Sequence, residues 1–306
     1  MSEKESMNTE VGHVGFVTIV GRPNVGKSTF LNQVLKYHLA AVSSRPNTTR
    51  KRWLGILSDE KSQIIFADTP GVHETKNKMH EAMAKTIKNS ISRNDLVLAI
   101  CDASREFGEE DSMVCEALQE ADKPVILAVN KVDKASKTEL KKIKEMYLSH
   151  LGKDTIVHEI SASENINVDD LLSSIKSSLP EGPFLYPKDQ VADAFLRDIA
   201  EEIIRESANE IIFHEIPHSL AVKIDKWNEN DKKIKVSATL YVERDGQKAI
   251  VIGEGGRMIK EITKSAREKL HEDLEKFIDL RLFVKTSPDW QNKVNFLKDL
   301  GVVDND

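Results

Sequence analysis

Residues 21–28 read GRPNVGKS and follow directly on the apolar run VGFVTIV at 14–20. A strand, a loop of the form GxxxxGK[ST] and a helix that opens at the lysine together wrap backbone N–H groups around phosphate oxygens. Gly21 and Gly26 let the chain come close to the phosphates, and Arg22, Pro23, Asn24 and Val25 form the loop between them. Lys27 is placed against the β- and γ-phosphates, Ser28 offers its hydroxyl to Mg2+, and Thr29 continues the same edge.

Outward from this loop, short apolar runs alternate with helical patterns. The runs are 14–20, WLGILS at 53–58, QIIFAD at 63–68, DLVLAICD at 95–102, PVILAVN at 124–130 and TIVHEI at 155–160. Several are nearly continuous in Val, Ile, Leu and Ala, as expected of parallel strands covered on both faces. Helical stretches open near Lys27, Asn77, Glu109, Ser136 and Asn167. The rhythm predicts a doubly wound, mostly parallel α/β sheet whose ligands sit at the carboxyl ends of the strands.

Those ends carry the residues that select the ligand. The run 63–68 ends in DTPG: Asp68 is placed to hold Mg2+ through water, Thr69 and Pro70 make the turn, and the Gly71 N–H faces the γ-phosphate. The run 124–130 ends in NKVD, where Asp133 can accept both donors of a guanine edge, Asn130 braces the loop and Lys131 lays its stem along the base. SAS follows the next run as Ser161, Ala162 and Ser163, with the Ala162 N–H facing the guanine carbonyl oxygen. Adenine presents an amino group at that place and lacks the paired donors, so the set reads as specific for GTP and GDP.

Two loops read as switches, 42–53 (VSSRPNTTRKRW) and 69–80. Thr48 and Thr49 are the candidates for a threonine that reaches Mg2+ when the γ-phosphate is present; similarity to GTPases with a TTR motif favours Thr49, as metal ligand and as part of the catalytic set. Val72 follows DTPG where Ras-type enzymes have a glutamine that orients the attacking water, so unaided hydrolysis is expected to be slow. Asn24 resembles the asparagine of GTPases that use K+ in place of an arginine finger. Asn24, Lys27, Thr49 and Gly71 are therefore the candidate catalytic residues.

The chain has 306 residues, with 44 Lys and Arg against 50 Asp and Glu, for a net charge of −6. That excludes a uniformly basic nucleic-acid binder, so any RNA contact has to come from a local patch. Cys101 and Cys115 sit in apolar patterns and give neither a disulfide framework nor a metal spacing. No stretch reaches the ~18 apolar residues of a membrane span. Residues 1–10 read as a polar, flexible N-terminus, 11–179 as the nucleotide domain, and 180–190 (PEGPFLYPKDQ, with three prolines) as a linker.

Residues 191–306 read differently. A helical pattern from Ala192 leads to two β-rich runs, SLAVKIDKW and KIKVSATLYVE, then a glycine loop, a helix through Ile259, Ile262, Ala266, Leu270 and Leu274, and a last strand LRLFVK. This order, α-β-β-loop-α-β, is a smaller α+β domain. Its loop, Gly253, Glu254, Gly255 and Gly256, is the GxxG signature of a KH module, whose loop clamps about four nucleotides of single-stranded RNA, with Arg257 and Lys260 as phosphate partners. From Arg244 to Lys269 there are seven basic and four acidic residues, although 191–306 as a whole carries 19 basic and 23 acidic ones.

GRPNVGKS, TTR, DTPG, NKVD and SAS followed by VIGEGGRMIK closely resemble the Era family of bacterial GTPases, over roughly 11–287. The resemblance implies a GTPase domain followed by a type II KH domain, binding of GTP or GDP with Mg2+, and action on the 3′ end of 16S rRNA in assembly of the small (30S) ribosomal subunit. Some members of that family associate peripherally with the inner membrane; the cysteine pattern, the polar start and the lack of a membrane span lead us to expect a cytoplasmic protein, here a monomer. A rival expectation is a nucleotide-gated adaptor whose C-terminal domain binds protein or membrane.

Overall fold

The structure, a computed structural model, describes residues 11–37, 39, 53–72, 75–193, 195–212 and 216–303. These fall into two compact units: the described residues up to Val72 with Lys85–Asp193, and the remainder. The switch threonines Thr48 and Thr49 lie outside the described residues.

The first unit is built on one sheet. Strands β1 (Val11–Val20), β2 (Trp53–Ser58), β3 (Ser62–Asp68), β4 (Leu96–Asp102), β5 (Val125–Asn130) and β6 (Ile156–Glu159) lie in the order β6-β5-β4-β1-β3-β2. All neighbours are parallel except β2, which pairs antiparallel with β3. Every residue of β3 and β4 is buried, so their apolar runs Ile64–Ala67 and Leu96–Cys101 reflect cover on both faces. Helices α1 (Lys27–Leu35), α2 (Lys78–Arg93), α3 (Glu109–Ala121), α4 (Lys137–Leu151) and α5 (Val168–Ser178) alternate with the strands and begin within a residue of where the periodicity places them. The doubly wound fold is as expected.

The proline-rich stretch 180–190 ties back onto this sheet. Glu181–Pro183 forms a short strand, β7, antiparallel to the start of β1, and Phe184 is buried with Val14, Ile56 and Ile65. Gln63 fastens the next residues, accepting the Leu185 and Tyr186 N–H groups at 2.7 and 2.9 Å and donating to the Tyr186 carbonyl at 2.9 Å. A two-residue strand β8, Ala192–Asp193, then pairs with β2.

The second unit has α6 (Leu196–Ile211), β9 (Ala221–Glu229), β10 (Lys233–Val242), α7 (Asp245–Ile252), α8 (Arg257–Leu274), β11 (Phe277–Thr286) and α9 (Val294–Asp299). Central β10 runs antiparallel to β9 and parallel to β11. Alternate residues Ile234, Val236, Ala238 and Leu240 are buried, as are Ile262, Ala266 and Leu270 at helical spacing on α8. Two helices were not legible. In α7 the short run AIVI fits strand and helix alike, and the Gln247 side chain, accepting the Arg244 N–H at 3.0 Å, caps it as a helix. From the six residues of α9, Leu297 is buried in a small core with Trp290 and with Met79 and Met83, which belong to this same unit.

Candidate functional site

The loop after β1 is held from beneath by the strand ends beside it. Asn130, the last residue of β5, donates through Nδ2 to the Val25 carbonyl at 2.7 Å and accepts the Ala162 N–H through Oδ1 at 2.9 Å. One amide thus ties GRPNVGKS to SAS. Gly26 has φ 101°, and a Cβ there would lie 2.3 Å from Asn130 Nδ2, so the position admits glycine on both conformational and steric grounds. Lys131 donates to the Asn24 carbonyl at 2.6 Å and to Asp102 Oδ2 at 2.7 Å. Asp102, the end of β4, was not singled out from the sequence; a carboxylate closing a buried apolar strand was the available signal. Hydrogen bonds from Lys131 and Ser104 hold its carboxyl below its usual value against the opposing effect of burial.

Lys27 is buried, and its ammonium donates to the Gly21 and Arg22 carbonyls at 3.0 and 2.9 Å. Burial pulls its pKa down to about 8, against the attraction of Asp68 and Glu110. The Ser28 hydroxyl lies 3.4 Å from Asp68 Oδ2, so two hard oxygen donors stand together at the loop's mouth. Behind them Thr69 donates to the Ile19 carbonyl at 2.8 Å, which makes its hydroxyl a strut between β3 and β1. Pro70 leads to Gly71, where a Cβ would fall 2.8 Å from Pro23 N, and the Val72 N–H reaches the Gly21 carbonyl at 3.1 Å.

Asn24 (φ 64°), Gly26, Ser28 and Thr29 are half-buried, whereas Val25 is fully buried. Asp133 and Ser163 are exposed; Ser161 is buried, its hydroxyl 3.3 Å from that of Ser163. The Lys131 ammonium is held between Asn24 and Asp102, which leaves its stem, the part expected to lie along a base. One expected contact is differently disposed. The Ala162 N–H is engaged by Asn130, so a base carbonyl would share that donor.

In the second unit α7 ends at Ile252, a single turn Glu254–Gly256 follows, and α8 opens at Arg257. Gly253, Gly255 and Gly256 have φ of 72°, 59° and 77°, a conformation that joins two helices in four residues. Arg257 and Lys260 are exposed beside the turn, Arg257 within 3.6 Å of Glu261. Of the predicted basic patch, Lys269 turns away: its ammonium is held by Glu206 and Glu210 at 2.9 and 2.8 Å.

Residues 16–131 match the model of the 50S ribosome-binding GTPase family, and 215–291 match the KH domain model. The chain is 41% identical to GTPase Era of Staphylococcus haemolyticus over 291 residues, covering 95% of this chain and 97% of that protein. The chain belongs to the Era family of GTPases. It is accordingly a GTPase with a P-loop GTPase domain followed by a KH domain. Two solved Era structures agree in fold over 95% of this chain and 99% of theirs. One is an Aquifex aeolicus Era variant bound to GDP and AlF4−, at 37% identity and TM-score 0.89. The other is Era in complex with MgGDPNP and nucleotides 1506–1542 of 16S ribosomal RNA, at 36% identity and TM-score 0.90. Among the described residues no helix is long and apolar enough to cross a membrane.

Proposed function

We propose that this chain binds GTP with Mg2+ in the loop after β1, hydrolyses it, and binds the 3′ end of 16S rRNA at the turn between α7 and α8 in assembly of the small ribosomal subunit. The observation that carries the reading is the bracing of GRPNVGKS by Asn130 and Lys131, which joins the phosphate loop to the base-selecting motifs in one hydrogen-bonded frame. In this reading Lys27 neutralises the β- and γ-phosphates, and Ser28 and Asp68 hold the Mg2+ that draws off their charge. The Gly71 N–H meets the γ-phosphate, and Thr49 completes the metal shell. Arg257 and Lys260 receive RNA phosphates beside Gly253–Gly256. The protein acts as a cytoplasmic monomer on a 30S precursor. Crosslinking it to cellular RNA and sequencing the bound fragments tests the partner; recovery of fragments from elsewhere than the 3′ end of 16S rRNA defeats it.

Base selection rests on Asp133, whose exposed carboxylate supports no core packing. Asp133→Ala should weaken GTP binding about 100-fold without moving the melting temperature, and the parent should prefer GTP over ATP by about 10³ or more. Equal turnover of the two nucleotides would end the guanine reading.

Asn24 sits at the loop's mouth with positive φ, its carbonyl fixed by Lys131. Hydrolysis should run about tenfold or more faster in K+ than in Na+, as a cation doing the work of an arginine finger requires, and Asn24→Ala should lose that difference. Equal rates in the two salts, or a K+ response that survives the substitution, removes the ion from the mechanism.

A further inference from the structure

Arg22 is a loop residue whose side chain leaves the loop. Its guanidinium is buried, with Nη1 2.8 Å from Asp111 Oδ2 and 3.4 Å from the Glu106 carbonyl, at the start of α3. Asp111 is a fully buried hub: Oδ2 also accepts the N–H of Gly108, the residue that caps α3, at 3.0 Å, and Oδ1 accepts the Tyr147 hydroxyl of α4 at 2.6 Å. Burial, the neighbouring acidic groups and the bond to Asp111 hold the Tyr147 phenol well above its usual value, so Tyr147 remains a donor. At the other end, the Arg22 backbone carbonyl is one of two oxygens on which the Lys27 ammonium rests; the Gly21 carbonyl is the second and also accepts the Val72 N–H.

A guanidinium planted in the protein body fixes the Cα and carbonyl of its own residue. A buried cation opposite a single hydrogen-bonded carboxylate has little freedom to shift. We propose that Arg22, Asp111 and Tyr147 form a positioning relay that runs from α3 and α4 to the phosphate loop and sets the carbonyl pair aiming Lys27 at the nucleotide. The proposal rests on the GTPase reading. Arg22 is a positioning residue in it, acting through Lys27.

The test is a cycle of substitutions read by GDP affinity, with a fluorescent GDP analogue as probe, and by the kcat and KM of GTP hydrolysis. Arg22→Ala should raise the Kd for GDP and the KM for GTP about tenfold with a smaller change in kcat, and Arg22→Lys should recover to within about threefold. In a Lys27→Ala background, Arg22→Ala should change Kd by less than about twofold, because the group it aims is gone. An equal loss with and without Lys27 makes Arg22 merely structural, and no loss in either background removes the relay. If Arg22→Ala does not fold, Tyr147→Phe carries the same cycle by removing one hydroxyl, with an expected effect of about threefold. A parent protein that neither binds nor hydrolyses GTP overturns the GTPase reading, whereas full activity in the Arg22 and Tyr147 variants overturns only the relay.

Discussion

Lys27→Ala should lower kcat/KM for GTP by about 10³-fold while the protein stays folded, because a desolvated cation fixed against developing phosphate charge acts far more strongly than one in water. The side chain is buried and hydrogen-bonded to the Gly21 and Arg22 carbonyls. Its pKa of about 8, depressed mainly by burial, gives the same group a pH signature. Nucleotide phosphate demands the charged form. Affinity for GDP should therefore be flat below pH 8 and fall as pH rises through it, since binding then takes up a proton. Stability of the nucleotide-free protein runs the other way: the cost of burying the ammonium is present below about 8 and is relieved between there and the unfolded value of 10.5. Falling affinity without falling melting temperature over that window assigns the effect to Lys27. Steady-state hydrolysis within about threefold of the parent in Lys27→Ala would remove the lysine from the mechanism.

What the sequence makes legible here is whatever has a short period or a fixed spacing. The buried strands announce themselves as apolar runs, and the phosphate loop, DTPG, NKVD and SAS each stand at the end of one. What joins these motifs is long-range and leaves no local mark. The amide of Asn130 spans 105 residues to Val25 and 32 to Ala162, and Asp111 meets Arg22 from a helix read only as an apolar pattern. Side-chain direction is likewise invisible: Arg22 and Lys27 are both loop cations in the sequence, yet one is held by α3 and the other by the carbonyls of its own loop. The stretch 180–190 shows no hydrophobic period because it is fastened by backbone pairing and by Gln63, neither of which needs one. In α7 the ambiguity is intrinsic, since four β-rich residues become helical once Gln247 satisfies the N–H groups at the helix start.

If RNA binds at the glycine turn of the second unit, as proposed, its binding can be removed alone. Gly255→Asp should abolish binding of 16S rRNA 3′-end oligonucleotides, weakening it about 100-fold or more, and leave GTP hydrolysis and the melting temperature near those of the parent. The choice of position follows from the space around each glycine. At Gly253 a Cβ would lie 2.7 Å from the Met258 Cβ, so a side chain there breaks the junction of α7 with α8 and any loss of binding reports damage to the fold. At Gly255 a Cβ meets nothing within 4 Å. Its φ of 59° lies in the left-handed region, which aspartate tolerates better than most residues, at a cost of about 1 kcal/mol. In the proposed function the added carboxylate stands where an RNA phosphate would come, between Gly253 and the exposed Arg257 and Lys260, and would replace attraction by repulsion in a patch whose excess of positive charge is small. Gly255→Asn separates charge from shape: it has the same bulk and the same tolerance of left-handed backbone, and should bind more tightly than the aspartate variant. Native RNA affinity in Gly255→Asp would place RNA elsewhere on the molecule, and parallel loss of GTP hydrolysis with unchanged folding would mean that this turn serves the nucleotide site.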